Sequence, residues 1–306
     1  MDERARRREA LTLRILILGG DGMLGHRLLA HLQKNHETKV TLHRDLAAYE
    51  PYGLFTRDNS YAGVEAQDAD RMLEVVADFR PEAVVNTVGI VKQRGAAKEA
   101  IPSLEINALL PHRLALLCKA VGVRLVHVST DCVFSGRKKG GYTEEDVPDP
   151  LDLYGRTKLL GEVSEPGCIT LRTSIIGLEL SRRTGLIEWF LSQRDEIRGF
   201  TKAIYTGLTT AEMSRVIERV LVEHQALSGV WQVASEPINK HDLLVRFSEV
   251  LGRDDVSIVP DDSVRIDRSL SAVAFEEATG YHAPGWNEML EELGAEVRQR
   301  QGEKVW

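Results

Sequence analysis

Tyr154 and Lys158 are spaced as YxxxK within Asp152-Leu153-Tyr154-Gly155-Arg156-Thr157-Lys158. On a helix, residues i and i+4 share a face, so both side chains can enter one cleft. A phenol with the ordinary pKa of about 10 is a poor acid–base group near neutrality. A lysine ammonium beside it favours the phenolate and lowers that value. The pair therefore points to proton transfer. Taken alone, it reads equally well as a surface tyrosine beside a surface lysine. Its weight comes from chain order: a glycine-rich loop after the first apolar run, then an apolar run ending in Ser129-Thr130-Asp131, then YxxxK.

The loop is Gly19-Gly20-Asp21-Gly22-Met23-Leu24-Gly25, in which Gly19, Gly22 and Gly25 form GxxGxxG. Gly19 permits a tight turn, Gly22 a close approach of backbone to pyrophosphate, and Gly25 close packing of helix on strand. The helix that opens at Met23 and Leu24 offers free N–H groups and the positive end of its dipole to phosphates. The expected occupant is a dinucleotide. About 20 residues on, where such folds contact the adenosine ribose, stands Leu42-His43-Arg44-Asp45. His43 and Arg44 suit a 2′-phosphate, which predicts NADPH; Asp45 leaves NADH open.

Those side chains need a scaffold, and the apolar patterning supplies one. Strands are predicted over 14–18, 39–42, 83–87, 125–128 and 169–173, with helices over 23–34, 68–79, 101–121 and 152–163. Continuous apolar strands alternating with helices indicate a parallel sheet covered on both faces. The predicted fold class is α/β: a Rossmann-like doubly wound parallel sheet with a smaller mixed α/β substrate lobe. Residues 1–13 are expected to be a frayed tail, and 14–177 the dinucleotide-binding domain, rejoined by about 205–237. Residues 178–204 and 238–306 are left for the substrate-binding lobe. Within the later chain, helices are predicted over 186–194, 210–224, 240–251 and 286–300, and one further strand over 229–234. The stretches 199–202 and 205–209 read as loops lining the cleft.

Composition sets the outer bounds. The chain has 306 residues, 43% apolar and 28% charged, with a formal net charge of −7. That length fits one large domain or two ordinary ones with a self-sufficient core. No apolar run reaches the roughly 18 residues of a membrane helix. The acidic balance argues against a nucleic-acid partner. Cys118, Cys132 and Cys168 form no CxxC or Cys/His cluster, so neither zinc nor a disulfide framework is expected, and no metal-ligand spacing appears elsewhere. Reduced thiols, and a basic amino terminus with no apolar stretch behind it, predict a cytoplasmic protein. His26, His31 and His36, on or just after the first helix, read as surface residues.

The ordered motifs resemble the extended short-chain dehydrogenase/reductases, and within them the dTDP-4-dehydrorhamnose reductase group of nucleotide-sugar 4-ketoreductases. The resemblance runs over about 14–295 and rests on GGDGMLG, NTVGIV at 86–91, STDCVFSG at 129–136, YGRTKLLGE at 154–162 and LRTSIIG at 171–177, with a looser echo in RSL at 268–270. It implies hydride transfer between NAD(P)H and the ketone of a nucleotide-linked 4-keto-6-deoxysugar. Tyr154 would be the general acid, Lys158 would bind the nicotinamide ribose and lower the tyrosine pKa, and Thr130 would hold the carbonyl oxygen. Asn86 and Gly89 would lie along the cofactor, Thr173 and Ser174 beside the nicotinamide, and Asn107 would support the lysine. Lys92, Asp131, Lys202 and Arg268 are the candidates for the sugar nucleotide, with Arg265 a weaker one.

Several residues depart from the group's pattern. Cys132 replaces the tyrosine of STDYVF and reads as packing, since no base is paired with it. NTVGIVKQ replaces an alanine-rich stretch, and Ile175-Ile176 an aromatic. Dehydratases of this scaffold carry TDE, where this chain has Thr130-Asp131-Cys132. Two alternatives stay open: an epimerase that retains NAD, and a non-catalytic NADP-binding regulatory subunit such as that of methionine adenosyltransferase. A homodimer is left open too.

Overall fold

The computed structural model describes residues 12–91 and 99–302. The chain opens with β1 (Arg14–Leu18), α1 (Met23–Leu32) and β2 (Glu37–Thr41), then β3 (Ser60–Tyr61), α2 (Ala69–Phe79) and β4 (Ala83–Asn86). Residues 100–121 are one helical run, α-helical over Ala100–Ser103, π-helical over Leu104–Leu109 and α-helical again in α3 (Leu110–Val121). β5 (Arg124–Val128), α4 (Leu153–Leu160) and β6 (Cys168–Arg172) complete the first half. The second half contains β7 (Ile175–Ile176), α5 (Leu186–Ser192), β8 (Asp195–Tyr205), β9 (Leu208–Thr209), α6 (Thr210–Val222) and β10 (Gly229–Gln232). It ends with β11 (Ile238–Asn239), α7 (Lys240–Leu251), β12 (Val256–Asp267), α8 (Val273–Thr279) and α9 (Trp286–Gly302).

A seven-stranded parallel sheet runs in the order β10-β6-β5-β4-β1-β2-β3. The fold class is thus the predicted one. The apolar strands serve two cores at once. Side chains alternate across a strand, so Ile15 and Ile17 of β1 enter the core beneath α1 and α6, and Leu16 and Leu18 the core beneath α2 and α3. Strand order reverses between β1 and β4, which opens a crevice at their carboxyl ends, the usual ligand position in such sheets. No described helix is long and apolar enough to cross a membrane.

The second half departs from expectation. β8 and β12 pair in parallel over most of their length, with β11 on the other edge of β8. The stretch 199–202, read as a loop, lies inside β8. Its charged residues hid a period-two pattern: Ile197, Gly199, Ala203 and Tyr205 face inward, and Arg198 and Lys202 outward. Gly199 sits so close to α7 that a β-carbon there would meet His241 Cα at 2.8 Å.

The first-helix histidines are a second correction. His26 and His36 are buried and His31 half-buried, because α6 packs over α1. Glu218 of α6 takes His31 Nε2 at 2.6 Å and His36 Nε2 at 3.3 Å. These two histidines hold the Glu218 carboxyl well below its usual range.

Candidate active site

Gly19 adopts φ +84, the left-handed region that glycine enters freely. Its N–H donates to Thr41 Oγ1, and its carbonyl accepts from Gly22 N–H at 3.0 Å. A β-carbon on Gly25 would lie 2.0 Å from that carbonyl oxygen, so only glycine lets α1 start this close to the loop. His26 fixes the far side of the turn. Burial holds its ring neutral, with a pKa near 4, and Nδ1–H donates to Gly22 O at 2.8 Å. The loop borders a cleft of about 720 Å³, lined at this end by Gly19, Gly22, Met23 and Leu24. Gly25 lies behind it as packing.

Past the end of β2, His43 lines the cleft and approaches Glu65 Oε1 at 3.3 Å, another lining residue. Arg44 is exposed beside the cleft rather than part of its wall. Its backbone N–H donates to Tyr49 OH, which donates to Asp21. Asn86 is fully buried under the floor and does not line the cleft, whereas Gly89 does. Lys92 lies outside the described residues.

Asp152 caps α4 by accepting from Gly155 N–H at 2.9 Å. Gly155 then lets the helix press against the 130–132 turn: a β-carbon there would sit 2.3 Å from Cys132 O. Gly161 does the same against the π-helical segment, at 1.9 Å from Asn107 O. Two glycines thus dock α4 so that Tyr154 and Lys158 line the cleft with Thr130 and Asp131. Thr130 Oγ1 donates to Asp131 Oδ1 and accepts from Cys132 N–H, both at 3.1 Å. Thr173 and Ser174 line the cleft beside them, and Thr173 O accepts from Asp131 N–H.

The electrostatics differ from the expectation in one respect. Burial pushes the Tyr154 phenol above its ordinary value, and its hydrogen bond with Thr130 only partly opposes this. Lys158 is not among the main influences on it. Burial pulls Lys158 itself down to about 8, and Nζ donates to Val128 O at 2.7 Å. Asn107 does not touch the lysine. Its amide brackets Ile90 and donates to Thr157 Oγ1, tying the β4 loop to α4. Burial pushes the Cys132 thiol up to about 12, which suits packing and not nucleophilic attack.

The cleft also carries charges near the 130–132 turn. Arg268 Nε donates to Phe134 O at 2.9 Å, and Nη1 approaches Cys132 Sγ at 3.5 Å. Arg268 and Lys240 both act on buried Asp131, whose own desolvation raises its pKa. Lys202 and Arg265 face outward on paired strands and do not line the cleft. The strand alternation that buries Ala203 puts Lys202 on the other face.

A protein-family model described as the RmlD substrate binding domain matches residues 13–296. The chain belongs to this family. It is 26% identical to a probable low-salt glycan biosynthesis reductase of Haloferax volcanii, over 82% of this chain and 85% of that one. A dTDP-4-dehydrorhamnose reductase of Aggregatibacter actinomycetemcomitans is 25% identical over 81% and 82%. The fold matches the crystal structure of dTDP-4-dehydrorhamnose reductase from Bacillus anthracis in complex with NADP, with a TM-score of 0.76 and 21% identity over 94% of this chain and all of that one.

Within this RmlD-family cleft, the lining residues that the sequence reading missed include Glu65, Glu179, Arg182, Lys240 and, within β12, Ile266. Lys240 carried a faint signal, since it opens a helix capped by Asn239. Arg182 and Glu179 carried none, because they sit in irregular chain between β7 and α5. His127 was missed as well. A lone histidine in RLVHV looks like core, and only the strand register sets it beside Asn86.

Proposed function

We propose that this chain is an NAD(P)H-dependent reductase of a nucleotide-linked 4-keto-6-deoxysugar, with NADPH as its working cofactor. One observation carries the reading: Thr130, Tyr154 and Lys158 line the same cleft as the GxxGxxG loop, in a chain of the RmlD family. The reductase names of the relatives and the NADP complex of the Bacillus anthracis protein support it. The loop fits a dinucleotide: Gly19 takes the left-handed turn and Gly25 leaves no room for a β-carbon, so the start of α1 is brought tight against the loop at the cleft.

The cofactor, when bound, supplies the hydride. The backbone N–H groups of Met23 and Leu24 at the start of α1, with the helix dipole, would hold the pyrophosphate, while the Gly22 N–H closes the turn on Gly19 O. Thr130 turns its one hydroxyl hydrogen from Asp131 Oδ1 to the substrate carbonyl oxygen and fixes that oxygen's direction. Tyr154 is the acid: as the ketone carbon gains hydride, the carbonyl oxygen takes the phenolic proton and becomes the hydroxyl. A phenol whose pKa is raised by burial stays protonated until that oxygen becomes basic, which suits an acid in the reducing direction. Arg268 and Lys240 hold the anionic end of the sugar nucleotide, and both act on Asp131.

Tyr154→Phe tests the roles. Turnover should fall by about 10²–10⁴-fold, while NADPH affinity, read by quenching or transfer of its fluorescence, stays at the wild-type value. Surviving turnover would remove Tyr154 as the acid. Purified protein holding one tightly bound NAD per chain would favour an epimerase instead.

A further inference from the structure

Behind Lys158, on the side away from the cleft, lies a column of buried polar groups. Asn86 and His127 are register partners on β4 and β5, and both are fully buried. Asn86 Nδ2 is 3.1 Å from His127 Nδ1, and His127 Nε2 is 3.4 Å from Lys158 Nζ. The partners dictate where the hydrogens go. Val88 N–H donates to Asn86 Oδ1 at 3.1 Å, which fixes the oxygen there and turns the NH₂ toward the ring. An amide NH₂ only donates, so His127 Nδ1 bears no hydrogen. Burial keeps this imidazole neutral, and its one hydrogen therefore sits on Nε2, aimed at Lys158. Nζ accepts that hydrogen only as a free amine; an ammonium would set two donors face to face. As an amine, Lys158 still donates to Val128 O.

We propose that His127, oriented by Asn86, is a positioning residue that biases Lys158 toward the free amine in the ligand-free protein. The hydrogen-bond geometry stands by itself; its bearing on turnover rests on the reductase reading. Two other titratable groups act on this column. Glu162, just past α4, favours the ammonium, and His112 of α3 disfavours charge on His127. The drop of Lys158 to about 8, caused first by burial, agrees with the geometry. The column then tunes how readily the lysine gains or loses charge near neutrality. A lysine in a water-exposed cleft would stay charged throughout that range.

The test uses the whole ligand-free protein. Nitrogen NMR of the imidazoles, with the His127 signal assigned by its loss in His127→Gln, should show the Nε2–H tautomer with a bare Nδ1. That signal should also step near pH 8 as Lys158 titrates, and the step should vanish in Lys158→Met. An Nδ1–H tautomer, or no step between about pH 6 and 10, overturns the proposal. In the pH profile of NADPH oxidation, His127→Gln should move the alkaline fall upward by about one pH unit, because its amide oxygen can turn to the ammonium. Asn86→Leu should move it the same way, by freeing Nδ1 to take the hydrogen. A profile unmoved in both variants also overturns it. If the wild type oxidises NADPH with no keto sugar, the reductase reading fails, while the tautomer result still decides this proposal.

Discussion

Gly155→Ala strikes at the contact that assembles the site. The added β-carbon would lie 2.3 Å from Cys132 O and 2.9 Å from Pro150 Cβ, and real contacts of this kind do not fall below 3.0 Å. Helix and turn must therefore separate by about 0.7 Å or more, since neither neighbour is a flexible side-chain tip. Tyr154 adjoins the substituted residue, and Thr130 belongs to the turn being pushed away. The gap opens between the two groups proposed to hold one carbonyl oxygen. A misplacement near 1 Å costs on the order of 10²-fold in rate. Stability changes less. Overpacking costs about 1–3 kcal/mol, and alanine for glycine inside a helix offsets about 1 kcal/mol of that. The variant should unfold in urea within about 2 kcal/mol of wild type, bind NADPH normally, and lose turnover about 100-fold. A folded variant with kcat within threefold of wild type would refute the idea that α4 docking through Gly155 sets the catalytic geometry.

Two further outcomes follow from the charges. Arg268→Ala removes a half-buried guanidinium from the proposed sugar end but touches nothing at the phosphate loop, so KM for the sugar nucleotide should rise about 10–100-fold, the worth of one or two charge-assisted hydrogen bonds. An equal weakening of NADPH binding would contradict that placement. Glu218 is held below its ordinary value of 4.5 by His31 and His36. A depressed carboxyl stabilises the fold above its unfolded pKa, and that contribution is lost as pH falls through the folded value. Between about pH 5 and 3, Tm should therefore drop more steeply in wild type than in Glu218→Gln; parallel slopes would count against the pairing.

The sheet was legible in the sequence because a parallel sheet buried on both faces needs unbroken apolar strands, as in RILIL and AVVN. The phosphate loop and the YxxxK pair were legible because each needs fixed residue types at fixed spacing. What stayed hidden depended on distant chain. β8 carries charges on its open face, so its 199–202 stretch looked like loop until paired with β12, a strand the sequence reading did not propose. Arg44 and Lys202 have suitable chemistry, but local direction turns both away from the cleft wall. The roles of Gly155, Gly161 and Asn107 appear only when α4 meets the turn and the π-helical segment. His127 acquires its place from strand register.

The most direct measurement is NADPH oxidation by the purified protein across dTDP-, UDP- and GDP-linked 4-keto-6-deoxysugars, with product followed by mass spectrometry. The expected result is one NADPH consumed per 4-hydroxy sugar formed, with a clear preference inside the panel and turnover about 10²–10⁴-fold lower in Tyr154→Phe. Flat kinetics on every member, or product formed without net NADPH consumption, would contradict it.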